Sequence, residues 1–464
     1  MTHALDVRQA YDGALIETVE LESWEAVETK LAAATAAHAD RDRWIPAHHR
    51  VTILKRLADL VRAEAEDFAL LIAREGGKPL RDARVEVARA INGIENAAEE
   101  VGQLRGEEIP MGLSAASDAR LAFTITEPIG VVVAVSAFNH PLNLIVHQVV
   151  PAIATGCPVL VKPADTTPLN CLRFVELVRQ AGLPRDWCQA VICDIPTAEK
   201  LVTDPRVAFF SFIGSARVGW HLRSKLAPGT RCALEHGGAA PAILDTSADL
   251  GLAIPSLVKG GYYHSGQVCV STQRIFVPSS ILDQFLKDFV PAVAQLAVGD
   301  PTSAETDCGP LILPREVDRV HAWVEAAAAS GAVLATGGAK LSPTTYQPTV
   351  LIDPPSDATV STSEIFGPVT CVYPYTALDE AIGRANALPF AFQAAVYSRD
   401  LDITMRAGRR LNASAVMVND HTAFRVDWMP FQGRGVSGYG TGGIRHTMAD
   451  MVQDKMLVVS SPSW

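Results

Sequence analysis

The stretch Val207–Leu222, VAFFSFIGSARVGWHL, sets the fold class. Its first seven residues form a continuous run rich in β-formers, the pattern of a strand buried on both faces. Gly214 and Ser215 break the run, and Ala216 opens a helical segment. A strand, a glycine turn and a helix N-terminus in succession offer free backbone N–H groups and the positive end of a helix dipole, which suits a phosphate. Gly214 and Gly219 stand in a GxxxxG spacing, which is neither the dinucleotide GxGxxG nor a P-loop. On its own the stretch reads equally as a close-packed turn.

The same rhythm extends both ways. Upstream lie CPVLVKP (Cys157–Pro163) and CQAVICD (Cys188–Asp194), with helical patterns at Leu169–Ala181 and Thr197–Val202, and downstream comes RCALEHG (Arg231–Gly237). After Gly237 it restarts with PAILD, RIFVP, VTCVYPY, QAAVYS and AVMVND. Strands alternating with helices imply βαβ units and covered parallel sheets, so two α/β domains joined near Glu235–Gly238 are expected. The first hundred residues read as helical. Pro46 opens a helix whose apolar positions Leu54, Leu57, Val61, Phe68 and Leu71 recur until Gly76 and Gly77, and a second helix spans Ala83–Val101. From Arg120 the text RLAFTITEPIGVVVAVSAF turns strand-like, and the Ala-rich patch near Ala326 reads as helix.

A chain of 464 residues with 48% apolar content fills two or three cores. A net charge of −11 argues against a nucleic-acid partner, which needs a basic surface. The greasy run Ile129–Val161 is interrupted by Asn139, His140, Pro141, Asn143, His147 and Gln148, so it reads as core and no membrane association is expected. The N-terminus carries no basic segment followed by an apolar one, and a cytoplasmic location is the expectation. Eight cysteines without a CxxC pair predict neither a metal site nor a disulfide framework.

One of those thiols asks for a different reading. In SGQVCVSTQR (Ser265–Arg274), Cys269 follows a glycine turn and precedes a strand pattern, so its N–H can face a developing oxyanion, and Asn139 in FNHPLN offers a second donor. Glu235 closes a strand beside two glycines, where burial would raise its pKa toward general-base service, or where it merely caps the next segment. Lys162 and Asp165 in LVKPADTTP can grip ribose hydroxyls at the edge of a parallel sheet, or form a solvated pair on a turn.

Taken together, Asn139, Lys162, Gly214, Glu235, Cys269 and SEIFGPVTCVYPY stand in an order that resembles the NAD(P)-dependent aldehyde dehydrogenase superfamily, from EGGKPL at Glu75 through MPFQGRGVSGYG to the closing KMLVV. The resemblance implies an α/β architecture with a Rossmann-like cofactor domain (1–119 and 129–236), an α/β catalytic domain (237–445) and a small β oligomerisation extension (120–128 and 446–464). It implies Cys269 as nucleophile, Glu235 as base and Asn139 with the Cys269 N–H as oxyanion hole. Lys162, Asp165, Gly214, Ser215, Gly219, Glu364 and Phe366 become cofactor residues. NAD is expected as preferred cofactor, because a carboxylate at Asp165 favours a free 2′-hydroxyl, with NADP possible. A homodimer or homotetramer is expected.

For the substrate, His140, Asn143 and His147 share one helical face and Arg425 lies in AFRVDWMPF. Two histidines, an amide and a guanidinium suit a small polar or anionic aldehyde, oxidised to its carboxylic acid. FNHPLN and RVDWMP also resemble the branch with lactaldehyde and phosphonoacetaldehyde dehydrogenases. The alternative is that His147 or Arg425 pairs with Asp427 instead. The chain departs from the family pattern at His236 and Ala239 in EHGGAAP, where leucine and a lysine or asparagine are usual. Two other readings remain: an enzyme that passes its acyl group to coenzyme A, which commonly lacks the glutamate, and a non-catalytic scaffold reusing the fold.

Overall fold

The computed structural model describes residues 4–462. Five parallel strands, Arg231–Glu235, Val207–Ile213, Val131–Val135, Val159–Lys162 and Cys188–Ala190, lie side by side in that order, with Gly438–Tyr439 added antiparallel beside Arg231–Glu235. Val131–Val135 is flanked on both sides by strands that follow it in the chain, so the direction of winding reverses there and a crevice opens at the carboxyl ends. Ser136–Asn139 and the Gly214–Ser215 turn leave from those ends.

A second sheet holds seven strands in the order Val333–Thr336, Thr349–Ile352, Val369–Tyr375, Thr272–Pro278, Ala240–Leu244, Gln393–Tyr397 and Ala415–Val418. All pairings are parallel except the first. Glu235 thus ends a strand of the first sheet, whereas Cys269 stands just before a strand of the second.

The helix Asn143–Thr155 is buried along its whole length. Its entry is fixed from outside: the backbone N–H groups of Leu142 and Asn143 donate to Glu86 Oε1 at 3.0 and 3.1 Å, and Glu86 pairs with the fully buried Lys78. A carboxylate there satisfies N–H groups that the helix itself leaves open. Gly156, at φ 84°, ends the helix in the left-handed conformation.

Three elements differ from the sequence reading. Residues Ala4–Arg8 and Leu15–Glu20 form an antiparallel hairpin with Gly13 at φ 74° in its turn, so the first hundred residues are not all helical. Their alternation is too short to stand out. The helix expected from Pro46 to Gly76 is two helices, Ala47–Ala63 and Ala65–Gly76, because Glu64 leaves helical geometry and its carboxylate accepts from Arg173 Nε at 2.6 Å. The span 446–464 is not strand throughout. Ile444–Asp450 is helical, and Val452–Ser460 then pairs residue for residue with Arg120–Pro128. Ser463 and Trp464, at the end of that expected span, lie outside the described residues. No described helix is long and apolar enough to cross a membrane.

Candidate active site

Between the two sheets lies a cavity of about 1210 Å³, and Asn139, Glu235, Cys269 and Arg425 share it with Asp165, Gly214 and Phe366. Residues up to 286 positions apart therefore face one space.

The loop that carries Cys269 is bent by three consecutive left-handed residues, His264 (φ 49°), Ser265 (φ 54°) and Gly266 (φ 72°). A side chain at Gly266 would collide with the Gly367 carbonyl, so this position demands glycine. The loop is held from beneath. Ser265 Oγ donates to Gly309 O at 2.7 Å, and the Gln267 amide accepts from Ile312 N at 3.0 Å and donates to Pro310 O at 3.2 Å. Burial, reinforced by the Glu235 charge, pushes the Cys269 thiol well above its ordinary value, while Arg425 pulls it back. The thiol therefore rests protonated at neutral pH.

Asn139 is buried, and its Nδ2 donates to Gln267 O at 3.0 Å. That bond ties it to the cysteine loop and leaves a second amide N–H unspent. Burial also raises Glu235, against the pull of Arg425 and Arg89. Arg425 Nη1 lies 3.9 Å from Glu235 Oε1, and the guanidinium lies over the Phe431 ring at 3.6 Å.

Behind this front stands a saturated carboxylate. Asp427 accepts from Arg89 Nε and Nη2 at 3.2 and 2.8 Å, from Asn143 Nδ2 at 3.1 Å and from His147 Nε2 at 2.7 Å. With Nε2 donating, His147 Nδ1 accepts from Arg425 Nη2 at 3.4 Å. Burial lowers His147 to about 4, so the ring is neutral and the positive charge of this pair stays on Arg425, which lines the cavity.

His140, Asn143 and Arg425 line the large cavity and His147 does not. For His147 the pairing with Asp427 is the one found, and its share in the site runs through Arg425.

Lys162, expected among the cofactor residues, does not line the cavity; its Nζ is bound to Asp165 Oδ1 at 2.7 Å and to Pro163 O at 3.2 Å. Asp165 remains half-exposed and lines the cavity with Ser215. Ser215 caps the helix Ala216–Arg223 without a side-chain hydrogen bond, which leaves first-turn N–H groups for an outside acceptor. These residues fit the phosphate and ribose of a dinucleotide. Gly219 does not line the cavity; its missing side chain makes room for the His236 ring and Phe212. Glu364 is pushed to about 8 by burial and accepts from Gly238 N at 3.1 Å. Phe366, at φ 50°, meets Phe138 edge-on at 5.9 Å.

Reading the sequence missed Arg89, Tyr263, Lys259 and Phe431, all on the cavity wall. Arg89 is the one with a signal to find: it is a charge among the apolar positions Val87, Ala90 and Ile94 of its helix.

The sequence pattern described as "Aldehyde dehydrogenase family" matches residues 2–457. A 3-sulfolactaldehyde dehydrogenase of Priestia megaterium is 36% identical over 430 residues, covering 92% of this chain and 90% of that protein. A lactaldehyde dehydrogenase of Methanocaldococcus jannaschii is 35% identical over 422 residues, 90% of this chain and 89% of that one. Among solved structures, glyceraldehyde-3-phosphate dehydrogenase GapN of the same organism, complexed with NADP, superposes with a TM-score of 0.94 at 32% identity, covering 99% of this chain and 100% of that chain.

Proposed function

This chain belongs to the aldehyde dehydrogenase family and is an NAD(P)-dependent oxidoreductase, and on that premise we propose that it oxidises a small anionic aldehyde to its carboxylic acid through a thioester on Cys269. The observation that carries the reading is the convergence of Cys269, Glu235, Asn139 and Arg425 on one cavity.

Each step assigns a task to a named atom. Cys269 Sγ passes its proton to Glu235, which releases it to solvent, and the sulfur attacks the carbonyl carbon, while the oxygen that gains charge meets Asn139 Nδ2 and the Cys269 N–H. When bound, NAD(P) supplies the acceptor for the hydride that leaves this carbon. Glu235 then takes a proton from water as the water oxygen attacks the thioester carbon. The carbon–sulfur bond breaks, the thiol re-forms and the acid departs. The glutamate favours water over coenzyme A as acyl acceptor, so NADH forms from aldehyde and NAD without added coenzyme A.

Asp165 supports a preference for NAD, since its carboxylate faces the cavity and would repel a 2′-phosphate. A higher kcat/KM with NADP would reverse that assignment. The strand Val452–Ser460 stands at an edge of its sheet with Met456 and Val458 exposed, so a second copy of this chain is the partner proposed to cover it, as a dimer or pair of dimers. A cytoplasmic location is part of the proposal, a compartment in which the eight unbridged cysteines would stay reduced.

For the substrate, Arg425 holds a buried charge against the aromatic face of Phe431, with its Nε free of any protein partner. Of the three relatives above, two are named for short aldehydes that carry an anionic group, sulfolactaldehyde and glyceraldehyde 3-phosphate, and one for the uncharged lactaldehyde. A sulfonated, carboxylated or phosphonated short aldehyde is expected to exceed hexanal in kcat/KM. Arg425→Met is expected to shrink that preference by roughly 10- to 150-fold, the worth of one hydrogen bond to a charged group. Equal use of hexanal by the unaltered enzyme would remove the anionic class.

A further inference from the structure

Next to Glu235 stands a histidine that the reaction above does not use. His236 is 1% exposed, and its Nδ1 lies 2.8 Å from the carbonyl oxygen of Gly214. A carbonyl can only accept, so Nδ1 carries the proton and donates. The preceding peptide link is gripped as well, where Gly214 N donates to Glu235 O at 3.0 Å. His236 N in turn donates to Ser437 O at 3.0 Å, which anchors the histidine backbone to the antiparallel edge of the sheet.

The ring fills a slot shaped for it. Phe212 and Trp220 lie 5.7 and 5.9 Å from it, ring centre to ring centre. Any side chain at Gly219 would strike its Cε1, so the glycine of GSARVG is spent on admitting the imidazole. Nε2 is buried without a protein partner, and burial lowers the ring below its ordinary value, which keeps it neutral.

We propose that His236 is a positioning residue that clamps the Gly214–Ser215 turn to the end of the strand carrying Glu235, so that the dinucleotide seat and the general base are held as one unit. The inference rests on that turn being the dinucleotide seat. A leucine here would fill space but donate nothing, and the Gly214 carbonyl would lose its side-chain partner. The helix Ala216–Arg223 begins directly after the turn, so freedom at Gly214 becomes freedom of the N–H groups that face the phosphate.

Two substitutions separate the hydrogen bond from the packing. Asparagine places an amide N–H close to where Nδ1 lies, while leucine keeps bulk without a donor. Binding of NADH and NADPH is measured directly by fluorescence titration, without aldehyde, for the unaltered protein, His236→Asn and His236→Leu, with melting temperature as a check on folding. The expected result is a Kd raised roughly three- to tenfold in His236→Leu, the worth of one neutral hydrogen bond, and nearly restored in His236→Asn. Equal Kd values in all three folded proteins overturn the clamp, and so does an asparagine variant as weak as the leucine one. Failure of the unaltered protein to bind either dinucleotide overturns the cofactor reading as well, which distinguishes the two.

Discussion

Two buried carboxylates on the same side of the cavity, Asp427 and Glu235, have been driven in opposite directions. Burial pushes both upward. At Asp427 the donors from His147 and Arg89 prevail and hold it well below the usual carboxylate range. At Glu235 nothing of that kind arrives; its cation, Arg425, stops at 3.9 Å and burial prevails. The difference teaches that this fold separates support from reactivity by the number of donors it supplies rather than by depth. A carboxylate with four donors fixes its neighbours. One left short of them is ready to accept a proton from water.

The largest test of that division is at the thiol. Cys269→Ala should lower dehydrogenase turnover by on the order of 10⁴-fold or more while the denaturation midpoint barely moves, because the thiol is reactive and not supporting. Asp427→Ala should do the reverse in character. Loss of a buried, paired charge leaves Arg89 and His147 uncompensated, and urea unfolding should show a stability loss of about 3–5 kcal/mol. If the two variants lost stability equally, the division would be wrong.

Asn139→Ala sharpens the comparison from the middle, since Asn139 both supports the loop through Gln267 O and faces the cavity. A turnover loss of about 10²- to 10³-fold is expected from removing one oxyanion donor, measured with the aldehyde saturating. The smallest effect is the pH dependence. On the proposed mechanism Glu235 acts as the ionised base, so the rate of thioester hydrolysis should rise with pH through a pKa above the ordinary glutamate value, and Glu235→Gln should flatten that rise.

The reactive half was the more legible one in the sequence. Cys269, Glu235 and Asn139 sit at turns and strand ends, and their order along the chain, rather than any one of them, carried the family resemblance behind their proposed roles; the parallel-strand rhythm around Val207–Leu222 announced the sheets that carry them. The supporting half was less legible: pairing of His147 with Asp427 stood only as the alternative reading, and the Arg89 and Asn143 donors, 338 and 284 positions away from Asp427, leave no local pattern. His147 shows the cost. Helical spacing put it on the same face as His140 and Asn143, but spacing cannot tell which neighbour a ring nitrogen finds, and Asp427 claims it. Gly219 misled for a similar reason. A glycine one turn into a helix looks like room for a phosphate, whereas here the room is taken by His236. The break at Glu64 was likewise out of reach, since apolar spacing runs on through it.

In the proposed reaction an acyl group passes through Cys269 and waits there for Glu235. The most direct measurement is intact and peptide-level mass spectrometry of Glu235→Gln mixed with NAD and a short anionic aldehyde. A mass increase equal to the acyl group, on the peptide holding Cys269 and removable by hydroxylamine, is the predicted result. Steady production of the acid with Cys269 unmodified throughout would contradict it.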